Sequence, residues 1–146
     1  MGTALVVFAT RSGGTKKIAE LIAEGIRMKG HEAELKKVMD IRKEADLEGY
    51  EAYVFGSATY HGQMIQGMKT MLFLAEKVNL QGKPGGAFGT YGWSGEAPDR
   101  IYHTMENIFK MDMVSGSLRL KTPYLYKPDG IEASQEYGKE IAQKMR

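Results

Sequence analysis

Residues 3–15 read TALVVFATRSGGT, an apolar, β-branched run that passes directly into small and hydroxylated residues. The run Thr3–Ala9 is apolar at consecutive positions, which is typical of a strand covered on both faces in a parallel sheet. From Thr15 the apolar residues follow helical spacing until Gly30 ends the pattern. The stretch therefore predicts a buried strand, a polar loop and a helix, the opening unit of an α/β fold.

The rest of the chain repeats this alternation of strands and helices. Further strands are predicted at His31–Val38, Ala52–Ser57, Gly86–Thr90 and Met113–Leu120, helices at Met64–Val78, Ala97–Phe109 and Ile131–Met145, and a short or irregular helix at Asp40–Gly49. Such alternation requires right-handed crossovers, which place helices on both faces of a parallel sheet. We predict one α/β domain over residues 1–146, with a doubly wound five-stranded parallel sheet in the order 2-1-3-4-5.

The composition excludes several classes of protein. A net charge of +2 and scattered basic residues argue against a nucleic-acid partner. No apolar run approaches the roughly 18 residues of a membrane span, and no signal-peptide pattern precedes the first strand. The chain has no cysteine, and its three histidines lack the spacing of metal ligands. We expect a soluble, cytoplasmic monomer with no metal site and no membrane contact.

Three loops have an unusual content of glycine, hydroxyl and aromatic residues. The first loop spans residues 10–15, the second loop residues 57–63 and the third loop residues 90–98. They follow the first, third and fourth predicted strands, which flank the order reversal of the sheet. Ligands of such sheets bind beyond the carboxyl ends of the strands at this reversal, so we expect the three loops to form one crevice.

The first loop has the groups that a phosphate requires. Thr10, Ser12 and Thr15 supply hydroxyls, and Gly13 and Gly14 allow close approach of the backbone. The N-terminus of the following helix adds N–H groups and the positive end of its dipole. A Ser/Thr N-cap before a tight turn would explain the same residues without a ligand.

Aromatic residues in the other two loops favour a ligand. Tyr60, Tyr91 and Trp93 lie in polar, glycine-containing loops and not on an apolar helix face. Flat side chains in such loops suit a planar heterocycle, which they can stack on and shield from water. A phosphate and a planar ring on one ligand would occupy the whole crevice.

In these motifs the chain resembles the flavodoxin family. The pattern Thr10-x-Ser12-Gly13-Gly14-Thr15 resembles the flavodoxin phosphate loop. Residues 88–95, FGTYGWSG, are similar to the third flavin loop of short-chain, clostridial-type flavodoxins and of the flavodoxin module in flavodiiron proteins. The resemblance covers nearly the whole chain. It implies a flavodoxin-like fold, non-covalently bound FMN, and electron exchange with redox partner proteins.

The resemblance also implies which residues bind FMN. They are Thr10, Arg11, Ser12, Gly13, Gly14 and Thr15 around the phosphate, Ala58, Thr59, Tyr60, His61 and Gly62 on one side of the isoalloxazine ring, and Thr90, Tyr91, Gly92, Trp93 and Gly95 on the other. An aromatic ring is expected to stack on the flavin. In the family a peptide of the second loop turns on reduction and accepts a hydrogen bond from flavin N5–H, and here the candidate is His61–Gly62.

The implied function is low-potential transfer of single electrons, with FMN shuttling between semiquinone and hydroquinone and with no catalytic residue. The second loop, followed by Lys69, is also similar to the loop of flavodoxin-like NAD(P)H:quinone reductases, which move two electrons as hydride. That enzyme is the alternative. Whether the chain is free-standing or a module of a larger flavodiiron-type protein is left open, because it begins close to its first strand.

Two features depart from the family pattern. Gly62 follows His61, whereas in many flavodoxins the glycine directly follows the aromatic residue of this loop. Flavodoxins are also usually strongly acidic around the flavin, but this chain has a net charge of +2. We therefore do not expect the redox partner to be selected by a large negative patch.

Overall fold

A computed structural model describes residues 2–11, 13–92, 95–124 and 126–145 of the chain. The strands are β1 (Thr3–Ala9), β2 (Glu32–Lys37), β3 (Ala52–Ser57), β4 (Thr59–Tyr60), β5 (Gln63–Met64), β6 (Pro84–Tyr91), β7 (Asp112–Met113) and β8 (Leu118–Lys121). The helices are α1 (Gly14–Met28), α2 (Gln66–Ala75), α3 (Glu96–Asn107) and α4 (Pro128–Lys144), with 3₁₀ turns at Val38–Asp40, Glu44–Leu47 and Thr122–Tyr124. None of the helices within these residues is long and apolar enough to cross a bilayer.

The main sheet is parallel, and its strand order confirms the doubly wound prediction. The order is β2-β1-β3-β6-β7, and β8 also pairs with β6. The predicted fourth strand is therefore β6, and the predicted fifth strand consists of β7 and β8. Strands β4 and β5 form a separate antiparallel hairpin.

Strand β1 is buried on both faces, as its continuous apolar sequence predicts. Leu5 and Val7 pack in the core beneath α2 and α3, while Ala4 and Val6 pack in the core beneath α1 and α4. All four side chains are fully buried. Since neighbouring side chains of a strand alternate between faces, helices on both sides of the sheet are needed to bury this run.

Several predicted elements differ from the structure, and the last helix, predicted at Ile131–Met145, runs from Pro128 to Lys144. The helix predicted at Met64–Val78 begins at Gln66 and ends at Ala75, because Met64 pairs with Thr59 in the β4–β5 hairpin. The strand predicted at Met113–Leu120 is interrupted between Met113 and Leu118. The irregular segment Asp40–Gly49 contains the 3₁₀ turn at Glu44–Leu47, as expected.

Two tyrosine hydroxyls close the interruption between β7 and β8. Tyr137 of α4 accepts a hydrogen bond from the Ala87 N–H at 3.0 Å and donates one to the Gly116 carbonyl at 2.9 Å. Tyr102 of α3 donates to the Val114 carbonyl at 2.5 Å and accepts from the Gly116 N–H at 3.3 Å. These bonds satisfy backbone groups that lack a strand partner at the interruption.

Helix α1, which begins at the first loop, lies in backbone contact with α4. A Cβ atom at Gly25 would lie 2.0 Å from the Gln135 carbonyl oxygen, and one at Gly138 would lie 2.1 Å from the Ile22 carbonyl oxygen. Only glycine leaves room for this approach. The paired glycines therefore set the distance between the two helices, and α1 in turn positions the first loop.

We predict that Tyr137→Phe lowers the free energy of unfolding by about 1–3 kcal/mol at neutral pH, because it leaves the Ala87 N–H and the Gly116 carbonyl without a partner. Burial raises the pKa of the Tyr137 hydroxyl, so the folded state holds this proton more tightly than the unfolded state does. The contribution of the hydroxyl is therefore fully present below about pH 10 and is lost as the pH rises through the raised pKa.

Urea denaturation at neutral pH and above pH 10 measures both effects. Tyr126→Phe is the matched control, because Tyr126 is 60% exposed. The difference between wild type and Tyr137→Phe should shrink at alkaline pH, while the control stays close to wild type. Equal stability of wild type and Tyr137→Phe at neutral pH would show that the hydroxyl does not hold the interruption closed.

Candidate functional site

The three loops lie side by side at one edge of the sheet. Strand β3 pairs in parallel with β1 on one side and with β6 on the other. The first, second and third loops follow β1, β3 and β6, respectively, so their starting points are adjacent. The expected crevice is therefore placed at the carboxyl ends of the three central strands.

The first loop turns sharply into α1. The Gly13 N–H donates to the Thr10 Oγ1 at 3.0 Å, and Gly13 has a left-handed backbone with φ of 90°. Helix α1 then starts at Gly14, with no side-chain cap hydrogen bond among the described residues and no acidic residue in its first turn. Its first N–H groups are consequently left to an outside acceptor, an arrangement that fits a phosphate.

The second loop is a tight hairpin between β4 and β5. Tyr60 pairs with Gln63, so His61 and Gly62 are the two central residues of the turn. Both have positive φ, 51° for His61 and 74° for Gly62, which is the signature of a type I′ turn. The first of these positions is usually taken by Asn, Asp or Gly, so an exposed His is unusual there.

Ser57 closes the base of the second loop, and sequence reasoning did not include it in the site. Its Oγ accepts a hydrogen bond from the Ile65 N–H at 2.9 Å and donates to the Ala58 carbonyl at 2.9 Å. Ser57 is fully buried at the end of β3. The available signal was a small polar residue at the last position of an otherwise apolar strand. Ala58, a predicted site residue, is also buried, and its N–H bonds to the Ala9 carbonyl at 3.3 Å.

The third loop begins with a half-buried tyrosine. The Tyr91 ring lies against Gly95, where a Cβ atom would be 3.1 Å from the ring. Gly92 is exposed, and a Cβ atom there would meet nothing within 4 Å. Of the predicted site residues, Ser12 and Trp93 lie outside the described residues. The aromatic rings that the structure describes in the second and third loops are thus Tyr60 and Tyr91.

Hydrogen bonds join the third loop to both of the others. The hydroxyls of Thr15 and Thr90 are 3.1 Å apart and link the first loop to the third. Thr15 is fully buried and Thr90 nearly so, which makes this link inaccessible to water. The Ala97 N–H donates to the Thr59 Oγ1 at 3.1 Å and links the third loop to the second.

A cation–π contact joins the first loop to the second. The Arg11 guanidinium carbon lies 4.6 Å from the centre of the Tyr60 ring. At the other end of the second loop, a Cβ atom at Gly62 would lie 4.0 Å from the Glu96 carboxylate. Each pair of loops is therefore connected by a side-chain contact, and charged groups of both signs, Arg11 and Glu96, lie beside the second loop.

The described part of the chain contains no group of three His, Asp or Glu side chains placed to hold a metal ion. It does contain a helix N-terminus, two aromatic rings and several loop amides in the three loops at one edge of the sheet. This combination suits a ligand with a phosphate and a flat ring.

Comparison with known proteins identifies the family. The family model described as Flavodoxin matches residues 6–124. A solved flavodoxin from the domain Archaea is 33% identical, with a TM-score of 0.89 and 97% of each chain covered. The flavodiiron protein of Giardia intestinalis is 22% identical, with a TM-score of 0.88, over 97% of this chain and 36% of that one.

A curated relative, the type A flavoprotein of Rhodobacter capsulatus, is 30% identical over 128 residues, which are 82% of this chain. The chain spans 28% of that relative's length and 25% of the length of two diflavin flavoproteins of Nostoc. These larger proteins therefore resemble it in one part only. The family match over residues 6–124, joined to the archaeal structure and the strand order, shows that the chain belongs to the flavodoxin family of FMN-binding electron-transfer proteins.

Proposed function

We propose that this chain binds FMN in the crevice between the three loops and carries single electrons between redox partner proteins in the cytoplasm. The observation that carries the proposal is the pairwise connection of the three loops around the N-terminus of α1, which no described side chain caps. These contacts hold the crevice in shape before a ligand enters, which reduces the entropy cost of binding.

The first loop would hold the phosphate of FMN. The left-handed turn at Gly13 is fixed by the Thr10 hydroxyl. It leads into the first turn of α1, where the N–H groups of Gly14 and Thr15 would face the phosphate. Ser12 would add a hydroxyl. Binding by neutral hydrogen bonds and a helix dipole leaves the two charges of the phosphate in place, and the nearby Arg11 offsets part of them.

The second and third loops would hold the isoalloxazine ring. Tyr60, Tyr91 and Trp93 would cover the ring and exclude water, and the remaining residues would contact it through the backbone: Ala58, Thr59, His61, Gly62, Thr90, Gly92 and Gly95. The cofactor supplies the electron chemistry, and the protein sets its surroundings. No side chain has to act as a nucleophile or general base in this function.

The finer proposal is a shuttle between semiquinone and hydroquinone at low potential. The crevice has both Arg11 and Glu96 at its edge, in contrast to the carboxylate ring that is usual in the family. A cation near the ring favours an anionic reduced form, so the second reduction should be less unfavourable than in a strongly acidic flavodoxin.

An anaerobic redox titration of the FMN-loaded chain, followed by absorbance, tests the carrier function. We expect a semiquinone band that accumulates and then disappears at a lower second potential. The alternative, an NAD(P)H:quinone reductase, predicts direct two-electron reduction and rapid reduction by NAD(P)H. That outcome would replace the carrier proposal.

Thr10→Val tests the phosphate site. We predict that it weakens FMN binding about tenfold or more, because loss of a hydrogen bond that organises a charged site costs about 1.5–3 kcal/mol. Quenching of FMN fluorescence on titration measures the dissociation constant. Thr70→Val is the matched control, since Thr70 is exposed on α2 and its hydroxyl donates to the Gln66 carbonyl of the same helix. If Thr10→Val binds FMN as wild type does, the first loop is not the phosphate site.

His61→Gly tests the peptide that we propose to turn on reduction. Rotating the His61–Gly62 peptide would convert the type I′ turn to type II′, which favours glycine at the first central position. With His61 in that position, the rotated form costs about 1–3 kcal/mol. His61→Gly should remove this cost and separate the two midpoint potentials more widely in the titration.

His61→Asn is its control, because Asn tolerates a left-handed backbone but not the glycine-only region. We expect the potentials of this variant to stay close to those of wild type. An unchanged separation in His61→Gly would mean that this peptide does not turn during reduction.

A further inference from the structure

An exposed apolar surface lies beside the second loop, on the outer side of α2. Phe73 is 71% exposed, and it lines two grooves, one of about 570 Å³ between α2 and α3 and one of about 440 Å³ on the opposite side of α2. Ile108, 56% exposed, lines the first groove, and Met39, 69% exposed, lines the second. We call this region the Phe73 surface. Large exposed apolar side chains that are grouped in this way mark interaction sites.

The rim of the Phe73 surface is positively charged. Lys69 and Arg100 line the first groove, and Arg42 and Lys77 line the second. Among the described Asp and Glu residues, only Glu76 lines these grooves. None of the ion pairs formed within the described residues involves the four cations. The surface therefore combines an apolar centre with an excess of positive charge.

The Phe73 surface is continuous with the second loop. Gln63 and Met64 line its first groove, and they directly follow the His61–Gly62 turn. Lys69 donates a hydrogen bond to the Gln63 side chain, which joins the rim to the hairpin. A protein bound on this surface would consequently lie next to the proposed flavin site.

We propose that the Phe73 surface docks an acidic electron-transfer protein, which places an apolar side chain beside Phe73. This inference rests on the proposed carrier function and adds the chemistry of its partner. Charge complementarity selects the partner and accelerates association, while burial of the apolar centre slows dissociation. A second copy of this chain fits poorly, because pairing two such surfaces would bring rims of the same sign together.

Surface plasmon resonance with the immobilised, FMN-loaded chain tests the proposal. The probes are two small redox proteins of opposite charge, an acidic [2Fe–2S] ferredoxin and a basic cytochrome c. We expect the ferredoxin to bind, with an association rate that falls as the salt concentration rises, and cytochrome c not to bind. Arg100→Glu should lower the association rate severalfold at low salt, and Phe73→Gln should raise the dissociation rate about tenfold.

The end of α1 provides matched controls. Lys29→Glu makes the same change in charge as Arg100→Glu, and Met28→Gln removes an apolar side chain that is 55% exposed. Both should bind the ferredoxin as wild type does. Equal losses in the controls, or equal binding of cytochrome c, would overturn the proposal.

Further measurements identify other occupants and separate this inference from the carrier function. Sedimentation velocity that shows a dimer in wild type and a monomer in Phe73→Gln would assign the surface to a second copy and overturn the proposal. Binding to anionic vesicles without binding to the ferredoxin would assign the surface to a membrane and would also overturn the proposal.

The docking variants Arg100→Glu and Phe73→Gln should keep wild-type midpoint potentials. Normal potentials with unchanged ferredoxin binding in Arg100→Glu and Phe73→Gln would leave the carrier function standing and remove the docking site.

Discussion

Burial of β1 on both faces is the constraint on which the rest of the structure depends. Successive residues of this strand face opposite cores, so helices must cover both sides of the sheet. The strand therefore lies in the interior of the sheet, between β2 and β3. Its carboxyl end is followed by α1, whose N-terminus has no side-chain cap from the described residues and lies beside the loops of β3 and β6. The proposed flavin site is a consequence of this placement.

The crevice is organised by the protein itself. One buried hydroxyl pair, one backbone-to-hydroxyl bond and one cation–π contact connect the three loops. Each contact contributes on the order of 1 kcal/mol, which is small against the entropy of a free loop but sufficient in combination to favour one arrangement. The edge of the sheet beside β6 uses the same device, because the hydroxyls of Tyr102 and Tyr137 hold the interrupted edge strand. In both places, side-chain contacts hold segments of backbone that lie outside the regular strands.

The charge of this chain distinguishes it from an acidic flavodoxin. With a net charge of +2, it has no general negative field to attract basic partners. Cations instead lie around an apolar surface beside the second loop, and Arg11 lies over Tyr60 at the edge of the proposed flavin site. The same sign of charge would therefore act on two steps, the reduction of the flavin and the choice of partner.

The amino-acid sequence by itself determined the alternation of strands and helices, the strand order and the chemistry of the loops. The alternation and the loop chemistry depend on local periodicity and on turn residues such as Gly13. The strand order follows from the right-handed crossovers that this alternation requires. Tertiary structure decided that Met64 belongs to a hairpin and not to α2, and that the fifth strand is interrupted at residues 114–117. It also decided the Thr15–Thr90 contact, whose residues are 75 positions apart. Such features depend on partners that meet only after folding, so no local pattern can specify them.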